Sequence, residues 1–316
     1  MNAVLWRLHR QQACLAGAAL AALAALFLIS GLKISHDYSS FLANCAVAHA
    51  CADTGAALGG DRLIIDLGYA TMAAPALLGL FWGAPLLAGE FEAGTHQLSW
   101  TQGVTRRRWL AATVTGVLLA AALWAGFLAL LVSWWRGPEN ALGIPGVRLG
   151  IGTFDVQGIV PVTYAVFAVA LGIAAGSIFR RVLPAMAATL ATFTGIRFLT
   201  AIYLRPRYLS PYSVQVSLSA RGLAPPGSWV LSSTTAGPNG RDYGNGIPID
   251  AIPAACRALD VGRLTTCLAS HGIHLVVTYQ PAGRFWIFQS IEAGGFLVLT
   301  AAMLAVACRA VLRRDA

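Results

Sequence analysis

Six apolar runs, each near or above the length needed to cross a bilayer, limit what this chain can become. They are Ala13 to Leu32, Leu63 to Leu87, Leu110 to Trp135, Ile159 to Ile178, Val182 to Leu204 and Trp286 to Val311. At about 1.5 Å of rise per residue, about 20 helical residues cross the hydrocarbon core. Backbone amides find no water there, so runs of this kind become helices that satisfy their own hydrogen bonds. Only 11% of residues are charged, against about 25% in a soluble domain. The first run exceeds the roughly 7–15 residues of a signal-peptide core and reads as an anchor. Pro75, inside the second run, predicts a kink. The paired tryptophans ending the third, Trp134 and Trp135, suit an interface.

The basic residues set an orientation. Arg7 and Arg10, then Arg106 to Arg108, then Arg180 and Arg181, then Arg309, Arg313 and Arg314 alternate with segments poorer in arginine. Short cytoplasmic loops carry the positive excess, which places both termini inside. The expectation is an all-α membrane protein with six transmembrane helices, both termini cytoplasmic, and an extracellular cap between helices 5 and 6. Residues 1–204 hold the first five helices, 205–284 the cap, and 285–316 the last helix with a basic tail. Met1 to Gln12 reads either as an amphipathic surface helix or as a plain basic flank.

The net charge of +9 is scattered at the ends of apolar runs. Nucleic-acid binding would want it gathered on one face, so no nucleic-acid partner is expected. Lys33 is the sole lysine and is followed by Ile34. A P-loop requires Gly-Lys-Ser/Thr, so the chain lacks the means to bind ATP in that way.

The outer side receives Ser35 to Arg62 and the long stretch Arg205 to Arg284. The latter is rich in Pro, Gly and Ser, which predicts much irregular loop, with helical character between Ile252 and His271. Cys45, Cys51, Cys256 and Cys267 fall on that side, where disulfides form. Four cysteines allow three pairings; the local ones, Cys45–Cys51 and Cys256–Cys267, are preferred. Cys256, Cys267, His271 and His274 also have the residue types of a zinc site. The ten residues between the cysteines exceed the usual close spacing, so no metal and no other cofactor is expected.

Asp66, Arg197 and Glu292 lie within apolar runs, where charge is costly and commonly paired. Arg197 is expected to pair with Glu292 or Asp66 near an outer gate, the alternative being a snorkelling arginine with two interfacial carboxylates. Gly172 and Gly176 form a Gly-xxx-Gly that permits close helix contact.

Between the second and third runs lies GEFEAGTHQLSWTQGVTRRRW, Gly89 to Trp109. Glu90 and Glu92 open it and Arg106 to Arg108 close it, charges that suit the two ends of a short helix. A plain juxtamembrane loop fits as well. Here the chain resembles the ABC-2 type permeases of ABC transporters, in particular six-span actinobacterial members. The Glu-x-x-x-Gly-Thr that ends their second span is matched by Glu90, Gly94 and Thr95, and the Ser/Thr-Arg pair before the third by Thr105 and Arg106. The segment TYQPAGRFWIFQSIE, Thr278 to Glu292, resembles the start of their last span.

The resemblance implies a permease subunit in the bacterial plasma membrane, dimeric, contacting lipid and driven by a separate cytoplasmic ATP-binding subunit. Segment 89–109 would be the coupling helix, and Glu90, Glu92, Gly94, Thr95, Thr105 and Arg106 its coupling residues. Export is the expected direction. A homodimer is the default and a heterodimer the alternative. Two other classes stay open. A membrane enzyme would use His36 with Asp37, His49, or His271 with His274, none in a recognisable catalytic motif. A sensory or structural subunit would bind the ATPase without transporting anything.

Overall fold

The computed structural model describes residues 2–48, 62–92, 106–141, 148–218, 220 and 224–313. Six helices among them are long and apolar enough to cross a membrane: Gly17–Asn44, Leu67–Glu92, Leu110–Trp135, Val160–Phe179, Val182–Arg207 and Ala282–Val311. The helices are α1 (Asn2–Ala48), α2 (Arg62–Leu78), α3 (Ala84–Glu92), α4 (Arg106–Trp135), α5 (Gly137–Ala141), α6 (Val160–Phe179), α7 (Val182–Leu199), α8 (Val261–Ser270) and α9 (Phe285–Arg313). The chain forms two compact units. One comprises Met1–Pro138, Ile151–Thr200 and Gln289–Ala316; the other comprises Glu139–Gly150 and Ala201–Phe288.

In the helical unit α6 is the central element. It is apolar on every side, as a fully buried helix must be, and 78% of its span is buried against 17% for the first and fifth spans. Small residues let the neighbouring backbones come close. A β-carbon on Gly172 would lie 2.5 Å from the Gly79 carbonyl oxygen. One on Gly83 would lie 2.5 Å from the Val169 carbonyl oxygen, and one on Gly176 2.7 Å from that of Ala84. Gly172 thus meets a second glycine pair, Gly79 and Gly83, while Gly176 lies against Ala84 and Ala88.

Those two glycines bound a π-helical turn, Gly79–Gly83, that joins α2 to α3, and the Ala84 N–H donates to the Gly79 carbonyl. The helix continues through Pro75 and its irregularity falls immediately before Pro85. A proline removes its own N–H and crowds the carbonyl four residues back. A widened turn at that point relieves the crowding.

Three details depart from the sequence expectation. Helix α1 runs unbroken from Asn2 to Ala48, so the chain before the first apolar run and the beginning of the first outer piece belong to one helix, about 70 Å long. Trp135 is buried at 2% exposure; its Nε1–H donates to Ser30 Oγ at 3.0 Å and its ring sits edge-on to Phe27. Only Trp134 stays exposed. Third, Arg180, between α6 and α7, adopts a left-handed φ of 53° and donates its N–H to the Gly176 carbonyl. Glycine usually takes this closing position.

The second unit holds a four-stranded antiparallel sheet where the composition predicted much irregular loop. Its strands are β1 (Tyr212–Ser217), β2 (Trp229–Ala236), β3 (Asp242–Gly244) and β4 (His274–Gln280), in the order β1-β4-β2-β3. Beside them, α8 is capped by Asp260, whose Oδ1 accepts from the Arg263 N–H at 2.9 Å. Cys256 and Cys267 form a disulfide within a small core completed by Leu268, Ile273, Ile252 and Leu264. Those two sulfurs are bonded to each other, so with His271 they do not offer the thiolates of a zinc site. Cys51 and the Cys45 side chain lie outside the described residues.

Gly172→Leu should remove the α6 contact, overpacking costing about 1–3 kcal/mol. A lowered melting temperature in detergent is expected. Gly116→Leu, whose added β-carbon would meet nothing within 4 Å, should melt close to wild type.

Candidate functional site

A buried polar cluster lies at one end of the helical unit, where α6 and α9 begin and α7 ends. Arg197 is its cation. Its Nη2 lies 3.1 Å from Asp155 Oδ2 and its Nη1 3.6 Å from Glu292 Oε1, and the two carboxylates are 1% and 0% exposed. The guanidinium carbon stands 3.6 Å from the centroid of the Tyr164 ring, close enough for a cation–π contact. The Tyr164 hydroxyl donates to Glu292 Oε1 and also lies 3.5 Å from Asp155 Oδ1. Phe296 packs edge-on against the same tyrosine. One guanidinium therefore holds two carboxylates from different parts of the chain, with a tyrosine beneath it.

Asp155 is placed by an irregular segment. Phe154–Val156 is a single 3-10 turn with all three residues buried, and its backbone groups need partners that no regular element supplies. Gln289, from the first turns of α9, supplies partners to four backbone groups between Phe154 and Val160. Its Oε1 accepts from the Ile159 and Val160 N–H groups at 3.0 and 2.9 Å. Its Nε2 donates to the Phe154 and Gln157 carbonyls, both at 3.1 Å. A side-chain amide has two donors and two acceptor sites, and here all are used. Ile159, the residue before α6, has no side-chain cap of its own, so a remote glutamine caps that helix. Gly158, with φ of 73°, passes so close that a β-carbon would lie 2.7 Å from Gln289 Oε1.

The predicted intramembrane residues are thus partly brought together. Arg197 faces Glu292, with Asp155 as a further partner; the Asp66 side chain lies outside the described residues. Asp155, Tyr164 and Gln289 were missed by sequence reasoning. Asp155 sits in a short connection rather than an apolar run, and a lone tyrosine or glutamine in a span gives little signal. Gln289 was the most accessible of the three, because an amide in an apolar run needs a partner.

At the other end of the unit, α3 finishes at Glu92. Glu92 Oε2 accepts the Val182 N–H at 3.0 Å, at the start of α7, where free amides and the helix dipole favour an anion. Next to it the Arg180 guanidinium lies 5.1 Å from the Phe91 ring centroid. This contact helps explain an arginine where glycine is usual. Gly94, Thr95 and Thr105 lie outside the described residues, as does the Arg106 side chain; Glu90 is half-buried near the end of α3.

Six membrane-competent helices, one of them buried among the others, with charges sealed inside, mark a multi-pass membrane protein. The sequence model of the family described as ABC-2 membrane transporter related matches residues 17–205, and the chain belongs to that family. No curated protein and no solved structure matches it. Members of such a family work in general with an ATP-binding subunit.

Replacing Gln289 with Leu keeps the bulk and strips four backbone groups of their partner, each worth about 1–3 kcal/mol when left buried and unmet. A strong loss of thermal stability in detergent is expected. Arg197→Met leaves two buried carboxylates without their cation, which costs about 3–5 kcal/mol. Adding Asp155→Asn and Glu292→Gln to Arg197→Met should recover much of that loss in the same melt. A triple variant no more stable than Arg197→Met would refute the pairing.

Proposed function

We propose that this chain is the membrane-spanning subunit of an ATP-driven exporter in the bacterial plasma membrane. A separate cytoplasmic ATP-binding subunit would energise it. Residues 89–109 face the cytoplasm in this reading and serve as the coupling segment, and the unit built on residues 201–288 is an extracellular cap. The chain performs no chemistry itself and works as a dimer of identical subunits. ATP binding closes the partner ATPases and pushes the coupling segment, turning an inward-open path outward; hydrolysis resets it.

The observation that carries the reading is the fastening of Phe91 and Glu92 to the start of α7. A displacement of the segment after Glu92 is passed at once to two spans, α3 directly and α7 through the Val182 hydrogen bond and the Arg180 contact. Because α3 packs on α6 through glycines with no compressible side chain between them, the push reaches the centre of the bundle. Tightly packed interiors move between discrete arrangements instead of deforming smoothly.

The test is a pull-down from native membranes, comparing wild type with Glu90→Arg plus Glu92→Arg. An ATP-binding protein recovered with the wild type and lost with a folded double variant is the expected result. Retention by a folded variant would remove the coupling role of these glutamates. A wild-type sample that brings down no ATP-binding protein under gentle extraction would overturn the reading.

A further inference from the structure

The two edges of the sheet differ. One edge, β3, is three residues long and carries Asp242, and its pairing with β2 is interrupted by a register shift between Thr235 and Ala236. Shortness, charge and irregularity are the devices that keep an edge from pairing with another chain. The opposite edge, β1, has none of them. Its six residues, Tyr-Ser-Val-Gln-Val-Ser, include no charge and no proline, and all six pair with β4 without a shift. Among the described residues β1 is paired on that one side. Ser213, Gln215 and Ser217 are exposed, while Val214 and Val216 are half-buried. Such an edge is a template for a further strand.

Its sequence says which strand. Ser213 to Ser217 reads Ser-Val-Gln-Val-Ser, the same in both directions about Gln215. Two copies related by a two-fold axis meet through the same patch, residue i facing j and j facing i. Two β1 strands running antiparallel about an axis at Gln215 would set Ser213 against Ser217, Val214 against Val216, and Gln215 against itself. Every position then faces its own residue type. Valine pairs form on one face of the joined sheet, and serine and glutamine pairs on the other. A one-residue slip would place the valines against polar partners. The strand also lacks the charge that would make like residues repel across the axis.

We propose that β1 is an intersubunit edge, joining the four-stranded sheets of two copies of this chain into one eight-stranded antiparallel sheet centred on Gln215. The proposal rests on the homodimer part of the functional reading and gives it a specific contact.

Cysteine scanning tests it in full-length protein in native membranes, with Cys14 and Cys308 replaced by Ser and the dimer band of that background as the baseline. Residues directly opposite across antiparallel strands have Cα atoms about 4.5–5.5 Å apart, within the range a disulfide spans. Positions offset by two residues are about 7–8 Å apart. Mild oxidation should therefore shift most of Gln215→Cys to a dimer on non-reducing gels. Val214→Cys alone should stay near baseline and form a dimer when co-expressed with Val216→Cys. Asp242→Cys, on the defended edge, is the control.

Co-purification of two differently tagged copies reports the dimer separately. Tagged copies that associate while Gln215→Cys stays at the control level would overturn the strand pairing and leave the dimer standing. Tagged copies that fail to associate would overturn both. Equal cross-linking at 214, 215 and 242 would mark random collision and overturn the pairing as well.

Discussion

Hydrocarbon offers no partner to a backbone amide, and the helical unit is arranged around a buried stretch where its backbone leaves the helix. Between Ile151 and Ile159 the chain approaches α6 without regular hydrogen bonding, yet Phe154, Asp155, Val156 and Gln157 are all buried. Gln289 meets three of that segment's backbone groups and the Val160 N–H that opens α6. Irregular backbone at such a place survives only when other protein groups satisfy it. This single amide therefore permits the turn, the turn presents Asp155, and Asp155 with Glu292 holds Arg197. The start of α6, the end of α7 and the start of α9 are bound through one chain of dependence.

The segment Thr278 to Glu292 acquires a physical meaning from this. Four of its polar side chains hold backbone or charge in place. In the sheet-bearing unit, Gln280 is fully buried and donates to the Pro206 and Leu209 carbonyls, and Arg284 donates to the Ser210 carbonyl and to Gln280 while lying over the Tyr212 ring. In the helical unit Gln289 and Glu292 do the work described above. A short stretch of sequence thus organises the polar interior of both units.

The two ends of the helical unit are built differently. At the Asp155–Arg197–Glu292 end the charges are sealed, and breaking one contact exposes an uncompensated buried charge. At the Glu92–Val182 end the contact is an exposed carboxylate on a helix N-terminus, which is individually weak. Between them lie the glycine contacts of α6 with the π-helical turn and α3, where backbones meet directly. A displacement at the weak end has a stiff path toward the strong one.

Much of the helical architecture was legible in the chain, because the bilayer imposes a length and a polarity that any spanning helix must show locally. The spans, the Gly172–Gly176 contact and the cost attached to Arg197 follow from residue type and spacing alone. The sheet was not legible. Its strands are short and separated by up to about thirty residues of Pro-, Gly- and Ser-rich chain, and a turn-rich composition does not reveal which strands will pair. The sequence could state that a buried arginine needs an anion but not that Asp155 is one of its anions, since that meeting depends on a turn held by a glutamine more than 130 residues away. Nor could it show that Trp135 turns inward, or that Glu92 ends against α7. Local sequence determined the helices and their solvent, because those are set by each residue's own transfer energy and backbone preference. Tertiary structure decided the partners, because a hydrogen bond or ion pair is satisfied by whichever distant group the packing delivers.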